Sequence, residues 1–197
     1  MNRMMGKADV ISMLQEHGAI AEGHFQLPSG LHSPSYVEIA VVMQYPNLAH
    51  RLGKALAAKF PQGIDVVVSP AMGGILIGQE VARVKKCRAI FTERSGAEMG
   101  LKRDFRLSRG EKVLVVEDVM TTGHSTSAVV NLAGVYGAKV VGVAAVLDRS
   151  MNALPLRVPV RALASYPVRV HPPENCPLCA RGEPLMTPHA RATEPRP

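Results

Sequence analysis

Apolar and polar positions along this chain follow two different rhythms. Between Lys7 and His17, Val10, Ile11 and Leu14 fall on one side of a helix. A short extended piece, His24 to Leu27, is broken by Pro28-Ser29-Gly30, and Tyr36 to Val42 reads as a strand. Pro46 then suits the first turn of a helix over Asn47 to Lys59. From Asp65 the pattern changes to short, fully apolar runs: strands at Asp65 to Val68, Ala89 to Thr92, Lys112 to Val116 and Lys139 to Leu147. Helical stretches from Ile75 to Val84 and from Ser125 to Tyr136 lie between them. Strands without a polar face that alternate with helices imply an α/β fold, a parallel sheet flanked by helices on both faces. In such sheets ligands gather beyond the carboxyl ends of the strands. The loops after Val68, Thr92 and Glu117 all open on that edge.

Past Leu156 the chain is rich in proline, with one strand expected near Arg161 to Ser165, and Thr187 to Pro197 reads as a mobile end. The expected division is residues 1–45 as an N-terminal segment, 46–156 as the α/β core and 157–197 as a C-terminal extension.

Composition narrows the classes. No apolar run approaches the ~20 residues that cross a bilayer. The first residues lack a signal-like apolar stretch, so a cytoplasmic protein without membrane partners is expected. Three cysteines do not make a disulfide framework. The net charge of +7 suits a polyanionic ligand, either a nucleic acid or a phosphorylated metabolite. Aromatic residues make up only 4%, which argues against stacking on single strands, and nucleic acid is not the expected partner.

The stretch from Val113 to Thr126 carries the chemistry. An apolar strand delivers Glu117 and Asp118, then Thr121-Thr122-Gly123 turns the chain into a helix start. Backbone N–H groups, the helix dipole and the hydroxyls of Thr121, Thr122, Ser125 and Thr126 together make a phosphate cradle, with His124 in the same turn. Two carboxylates beside a phosphate would repel it as ligands. They suit vicinal hydroxyls or a hydrated Mg²⁺ instead. A phosphate held beside a diol describes a ribose 5-phosphate. The bland alternative is that Glu117 and Asp118 only cap the following helix.

The run Val115-Val-Glu-Asp-Val-Met-Thr-Thr-Gly123 resembles the motif by which type I phosphoribosyltransferases bind 5-phosphoribosyl-1-pyrophosphate (PRPP). Further landmarks between Gly23 and Ser150 resemble the orotate-specific members, in a divergent bacterial branch. The resemblance implies a type I phosphoribosyltransferase fold with a small hood subdomain made by the N-terminal segment. It implies transfer of phosphoribose from PRPP to orotate with Mg²⁺, by a homodimer. It places Ala71, Met72, Gly73 and Gly74 in the pyrophosphate loop, and Arg94 with Glu117, Asp118 and Thr121 through Thr126 around PRPP. Tyr36, Thr121 and Arg149 fall at the orotate site, where a planar guanidinium suits a carboxylate. For Asp148-Arg149 a surface ion pair is the alternative.

Lys102 and Arg103, in a glycine-bearing loop, are candidates with Asp118 for the catalytic groups, closing over the departing pyrophosphate. An ordinary solvated loop is the alternative there. The chain departs from the better-known members at Pro28 and Gly73, where they carry lysines, and residues 94–109 contain no histidine. A purine-specific enzyme and a nucleotide-sensing RNA-binding regulator on the same fold are the competing readings. Finally, Cys176-Pro-Leu-Cys179 is a lone C-x-x-C. His171 and His189 are the histidines that would complete a four-ligand set, but their spacing is irregular. A structural knuckle or hydrophobic clip is the expectation, with no metal ligands assigned.

Overall fold

The computed structural model describes residues 5–96 and 98–188. Its centre is a six-stranded sheet built from β3 (Val66–Pro70), β4 (Arg88–Ser95), β5 (Glu98–Leu101), β6 (Lys112–Met120), β7 (Lys139–Asp148) and β8 (Val160–Ser165), in the order β5-β4-β3-β6-β7-β8. All neighbours are parallel except β5, which pairs antiparallel with β4.

The apolar runs split by alternation. On β6, Leu114 and Val116 enter one core while Val113 and Val115 enter the other; on β7, Ala144 and Val146 oppose Val143 and Ala145. Residues buried on both faces are what a covered parallel sheet requires. One face is covered by α1 (Lys7–Glu16), α2 (Ala40–Met43), α3 (Pro46–Ala58) and α4 (Gly73–Lys85). On the other, Val129 and Ala133 of α5 (His124–Val135) pack with Leu107, and Leu154, Leu156 and Val158 close the layer.

A second, three-stranded sheet, β2-β1-β9, forms a hood from β1 (Ile20–Gln26), β2 (His32–Val37) and the short β9 (Leu185–Met186). The strand expected over Tyr36 to Val42 is corrected here: β2 ends at Val37 and Ala40–Met43 is helical. Ile39, Val42 and Met43 are buried, and their spacing of three and four residues puts them on one helical face.

The expected boundaries also shift. Val10, Met13 and Leu14 of α1 belong to the main core, so residues 1–45 are only partly hood. Strand β8 completes the main sheet, so the core extends past 156. The tail contributes β9 to the hood and pairs His171 with His32. The expected mobile end falls mostly outside the described residues.

Chain order sets the sheet edge where a ligand is expected. From β3 the chain crosses to β4 on one side, whereas β6, β7 and β8 build outward on the other. The crevice between the carboxyl ends of β3 and β6 is therefore the topological switch point, where open α/β sheets bind ligands.

Candidate functional site

Three loops meet at that switch point. The first leaves β3 at Pro70 and enters α4 at Gly73, tied down by the Ala71 N–H, which donates to the Thr92 carbonyl at 2.8 Å. The second leaves β6 at Met120 and enters α5 through Gly123, whose φ of 75° is a left-handed conformation that glycine accommodates. The third leaves β7 at Asp148. Met120 and Asp148 are register partners, and the Arg149 N–H donates to the Met120 carbonyl at 2.8 Å, which sets Arg149 beside Thr121.

The carboxylates do not cap a helix. Glu117 and Asp118 lie inside β6, and the N-cap of α5 is Gly123, which makes no side-chain cap. Asp118 accepts a 2.8 Å bond from the Val119 N–H and faces the first loop so closely that a Cβ on Gly73 would stand 2.3 Å from its Oδ2. A glycine at 73 thus lets the expected pyrophosphate loop touch the acid near the end of β6. Gly74 is equally confined, since a Cβ there would lie 2.9 Å from the Val116 carbonyl.

Glu117 is buried, and its Oε2 accepts a 3.1 Å bond from the Thr126 hydroxyl. Burial first, then the neighbouring charge of Asp118, push the Glu117 carboxyl up to about 8, against the lowering effect of the Thr126 bond. Burial likewise raises Asp118 above the usual carboxylate range.

A folded pKa above the unfolded value means the native state holds a proton that the unfolded chain has released. That contribution to stability is complete below the ordinary carboxyl value of 4.5 and is lost as pH rises through about 8. The expected result is a fall in Tm from about pH 5 to about 8.5 that flattens in Glu117→Gln, measured by thermal unfolding across that range.

The residues expected to form a phosphate cradle gather at the start of α5, with one exception. Thr121, Thr122 and His124 are exposed at the α5 start, Thr122 Oγ1 and His124 Nδ1 are 3.2 Å apart, and Ser125 Oγ accepts a bond from Arg94 at 3.5 Å. Arg94 therefore reaches the cradle from the end of β4. Thr126 does not offer its hydroxyl to the cradle, because its side chain is buried against Glu117. It contributes by orienting that acid.

The glycine-bearing loop expected after Thr92 is instead a β-hairpin of β4 and β5. Lys102 is exposed just beyond it. Arg103 forms a two-pronged pair with Glu93, both bonds 3.1 Å, and lies over the Phe91 ring. In this conformation its guanidinium is committed to Glu93 and is not presented to the carboxylates of β6.

The ion-pair alternative for Asp148-Arg149 fails. Asp148 Oδ1 accepts from the Ser150 N–H at 2.9 Å and the Ser150 hydroxyl at 2.6 Å. Arg149 is half-buried and its Nε is sealed from solvent without a hydrogen-bond partner. Burial holds its pKa below the ordinary arginine value, while Tyr166 and Tyr36 lie close enough to oppose that shift. A buried donor without an acceptor is costly, and a ligand carboxylate is the kind of group that satisfies it. Sequence reasoning missed Tyr166, which reaches this corner through β8; its N–H donates to the Asp148 carbonyl at 2.7 Å.

Comparison with known proteins identifies the family. Residues 42–167 match the phosphoribosyl transferase domain family. The chain is 44% identical to the orotate phosphoribosyltransferase of Caldicellulosiruptor bescii, over 95% of this chain and 99% of that protein. It is 45% identical to the orotate phosphoribosyltransferase of Heliobacterium modesticaldum, over 95% of this chain and 100% of that one. Among solved structures, orotate phosphoribosyltransferase from Aeropyrum pernix superposes with a TM-score of 0.68 at 21% identity, covering 79% of this chain and 93% of that one. Adenine phosphoribosyltransferase from Rhodothermus marinus gives 0.65 at 22% identity, covering 81% and 99%. The fold alone therefore does not select the base.

Proposed function

The chain belongs to the phosphoribosyltransferase family, and from that premise we infer that it transfers the 5-phosphoribosyl group of PRPP to orotate, giving orotidine 5′-monophosphate and pyrophosphate in pyrimidine biosynthesis. The observation that carries the choice of base is Arg149: a half-buried cation with an unpartnered Nε, set beside Thr121 at the sheet edge. Orotate bears a carboxylate that adenine, hypoxanthine and guanine lack, and a guanidinium fork pairs with it through two bonds.

Each group has a task at the reacting sugar. Backbone N–H groups at the α5 start and the Ser125 hydroxyl hold the 5-phosphate, remote from the reacting carbon, so that binding energy there fixes orientation. Asp118 and Glu117 meet the two ribose hydroxyls. With its pKa near 8, Glu117 presents a carboxyl able to donate as well as accept at neutral pH. As the bond from ribose C1 to the pyrophosphate oxygen breaks and the bond to the orotate nitrogen forms, C1 gains positive character. Negative charge on Asp118 stabilises that state. Gly73 and Gly74 bring backbone within reach of the leaving pyrophosphate, and Tyr36 lines the base site from the hood.

Mg²⁺ is the cofactor proposed. Asp118, facing the 71–74 loop, supplies hard oxygen donors of the kind that ion prefers and is the residue that would hold it against PRPP. When bound, it supplies charge neutralisation of the leaving group. Lys102 is the remaining candidate to close over pyrophosphate, with Arg103 joining it only if the Glu93 pair opens. A homodimer is the proposed assembly, with exposed Met72 and Leu76 beside the first loop as apolar contacts. None of the described helices is long and apolar enough to cross a membrane, in keeping with the proposed cytoplasmic location.

The test is the loss of orotate absorbance on addition of PRPP and Mg²⁺, run in parallel with adenine, hypoxanthine, guanine and xanthine. Orotate alone is expected to react, and a chelator is expected to abolish turnover until Mg²⁺ is restored. Reaction of a purine with orotate inert would overturn the assignment.

A further inference from the structure

Away from the sheet edge, four metal-ligating side chains from opposite ends of the chain converge in the hood: His24 on β1, His32 at the start of β2, Cys176 at the N-cap of the four-residue helix α6 (Pro177–Ala180), and Cys179 within it. We propose that this cluster is a structural Zn²⁺ site, closed by four protein ligands, which clamps the C-terminal tail onto the hood.

The geometry suits that ion. His24 Nε2 lies 2.9 Å from His32 Nδ1, 3.6 Å from Cys176 Sγ and 3.7 Å from Cys179 Sγ, and Cys179 Sγ lies 3.3 Å from His32 Nδ1. Zinc bonds of about 2.0 Å to nitrogen and about 2.3 Å to sulfur give tetrahedral edges of roughly 3.3 Å between nitrogens and roughly 3.5 Å from nitrogen to sulfur. Three of the four separations fall close to those edges, and the two rings need to part by only a few tenths of an ångström.

The proton positions point the same way. His24 Nδ1 lies 2.8 Å from the Glu183 carbonyl, so that nitrogen carries the hydrogen and donates it. Its Nε2 is then a bare lone pair facing His32 and both thiols. A ligating histidine fixed through its other nitrogen by a backbone carbonyl is the usual outer-shell arrangement of zinc sites. His24, His32 and Cys176 are buried, so the cluster is shielded from competing water on most sides. Two sulfurs and two imidazoles select zinc over Mg²⁺ or Ca²⁺, which take oxygen. Four protein ligands leave no open position for catalysis.

The tail also needs such a clamp. Between His171 and Met186 its regular structure is one turn of 3₁₀ helix, a four-residue helix and a two-residue strand, and its buried side chains are Cys176 and Leu178. So little buried surface does not offset the entropy of ordering the segment. The ligand set corrects the expectation from sequence. His171 joins this region through backbone bonds to His32, and His189 lies outside the described residues. The partners of the C-x-x-C pair are His24 and His32. The clamp also braces β1 and β2, and β2 carries Tyr36, which is proposed to line the base site.

The test measures metal in the purified full chain, kept reduced and dialysed, by plasma mass spectrometry. One zinc per chain is expected, falling to background in Cys179→Ser and His32→Ala and unchanged in Cys87→Ser. Titration of Co²⁺ into the metal-stripped wild-type chain should reach one equivalent. It should show the intense visible bands of tetrahedral cobalt and a thiolate-to-cobalt band in the near ultraviolet; this readout does not depend on any variant folding. Absence of stoichiometric zinc together with absence of those cobalt bands would overturn the proposal. So would zinc retained in full by Cys179→Ser, or a Cys176–Cys179 disulfide in the reduced preparation. None of these readouts involves PRPP or orotate, so a failure here leaves the transferase reading in place.

Discussion

Asp118→Asn is expected to lower kcat/KM by about 10²-fold while the fold and the position of Glu117 persist. A hydrogen bond to a charged partner contributes about 1.5–3 kcal/mol, and each 1.36 kcal/mol is tenfold in rate. Loss of negative charge beside a developing cation adds to that in kcat. The substitution keeps the size of the side chain, so Gly73 still packs against it. It carries a second, independent readout. Asp118 is one of the two causes that raise Glu117, so removing its charge should bring the Glu117 pKa down from about 8. Steady-state kinetics and the pH dependence of unfolding check the two halves separately. Unchanged kcat/KM would remove Asp118 from the chemistry, even if the pKa moved.

The second large effect sits at Arg149. Arg149→Met is expected to raise KM for orotate by about 10–100-fold, the loss of a charge-assisted pair, with KM for PRPP little changed. Arg149→Lys should recover only a small part, because a point charge does not reproduce the two-pronged fork. The same Arg149→Met change should raise Tm by a few degrees. In the free protein it removes a buried donor that has no acceptor, and an unsatisfied donor of that kind costs about 1–3 kcal/mol. Activity and stability thus move in opposite directions, as expected where a site is kept ready for a ligand at the expense of the fold. Kinetics with each substrate varied in turn, and thermal unfolding of both variants, separate this from general damage, which would lower both.

The parts of this account that the sequence made legible are those written in uninterrupted apolar runs. Val66 to Val68 and Val113 to Val116 have no polar face, so both their strand character and their parallel setting could be read directly. The position of Glu117 and Asp118 directly after such a run then put them on the ligand edge.

The hood was less legible for a physical reason. Strand β2 is His-Ser-Pro-Ser-Tyr-Val, and its buried positions include His32, Ser33 and Ser35, so no apolar alternation marks it. The apolar run that follows reads as strand because 39–43 is too short for its helical period to declare itself. Side-chain commitments were also hidden. Whether Thr126 faces a phosphate or Glu117, and whether Arg103 faces the site or Glu93, depends on contacts that arise only when distant elements pack. The metal-ligating cluster was half visible. A C-x-x-C pair announces itself locally, but its partners lie on strands near the other end of the chain, and only the hood topology brings them together.

One crevice is proposed to hold the sugar phosphate at the α5 start, the ribose hydroxyls on the acidic pair and the base at Arg149. A crystal structure of the full chain soaked with orotidine 5′-monophosphate tests it in a single map. The expected density has the phosphate against the amides of residues 122–126, the ribose diol on Glu117 and Asp118, and the orotate carboxylate paired with Arg149. A nucleotide bound with its carboxylate turned to solvent, or with its phosphate away from the start of α5, would contradict the account.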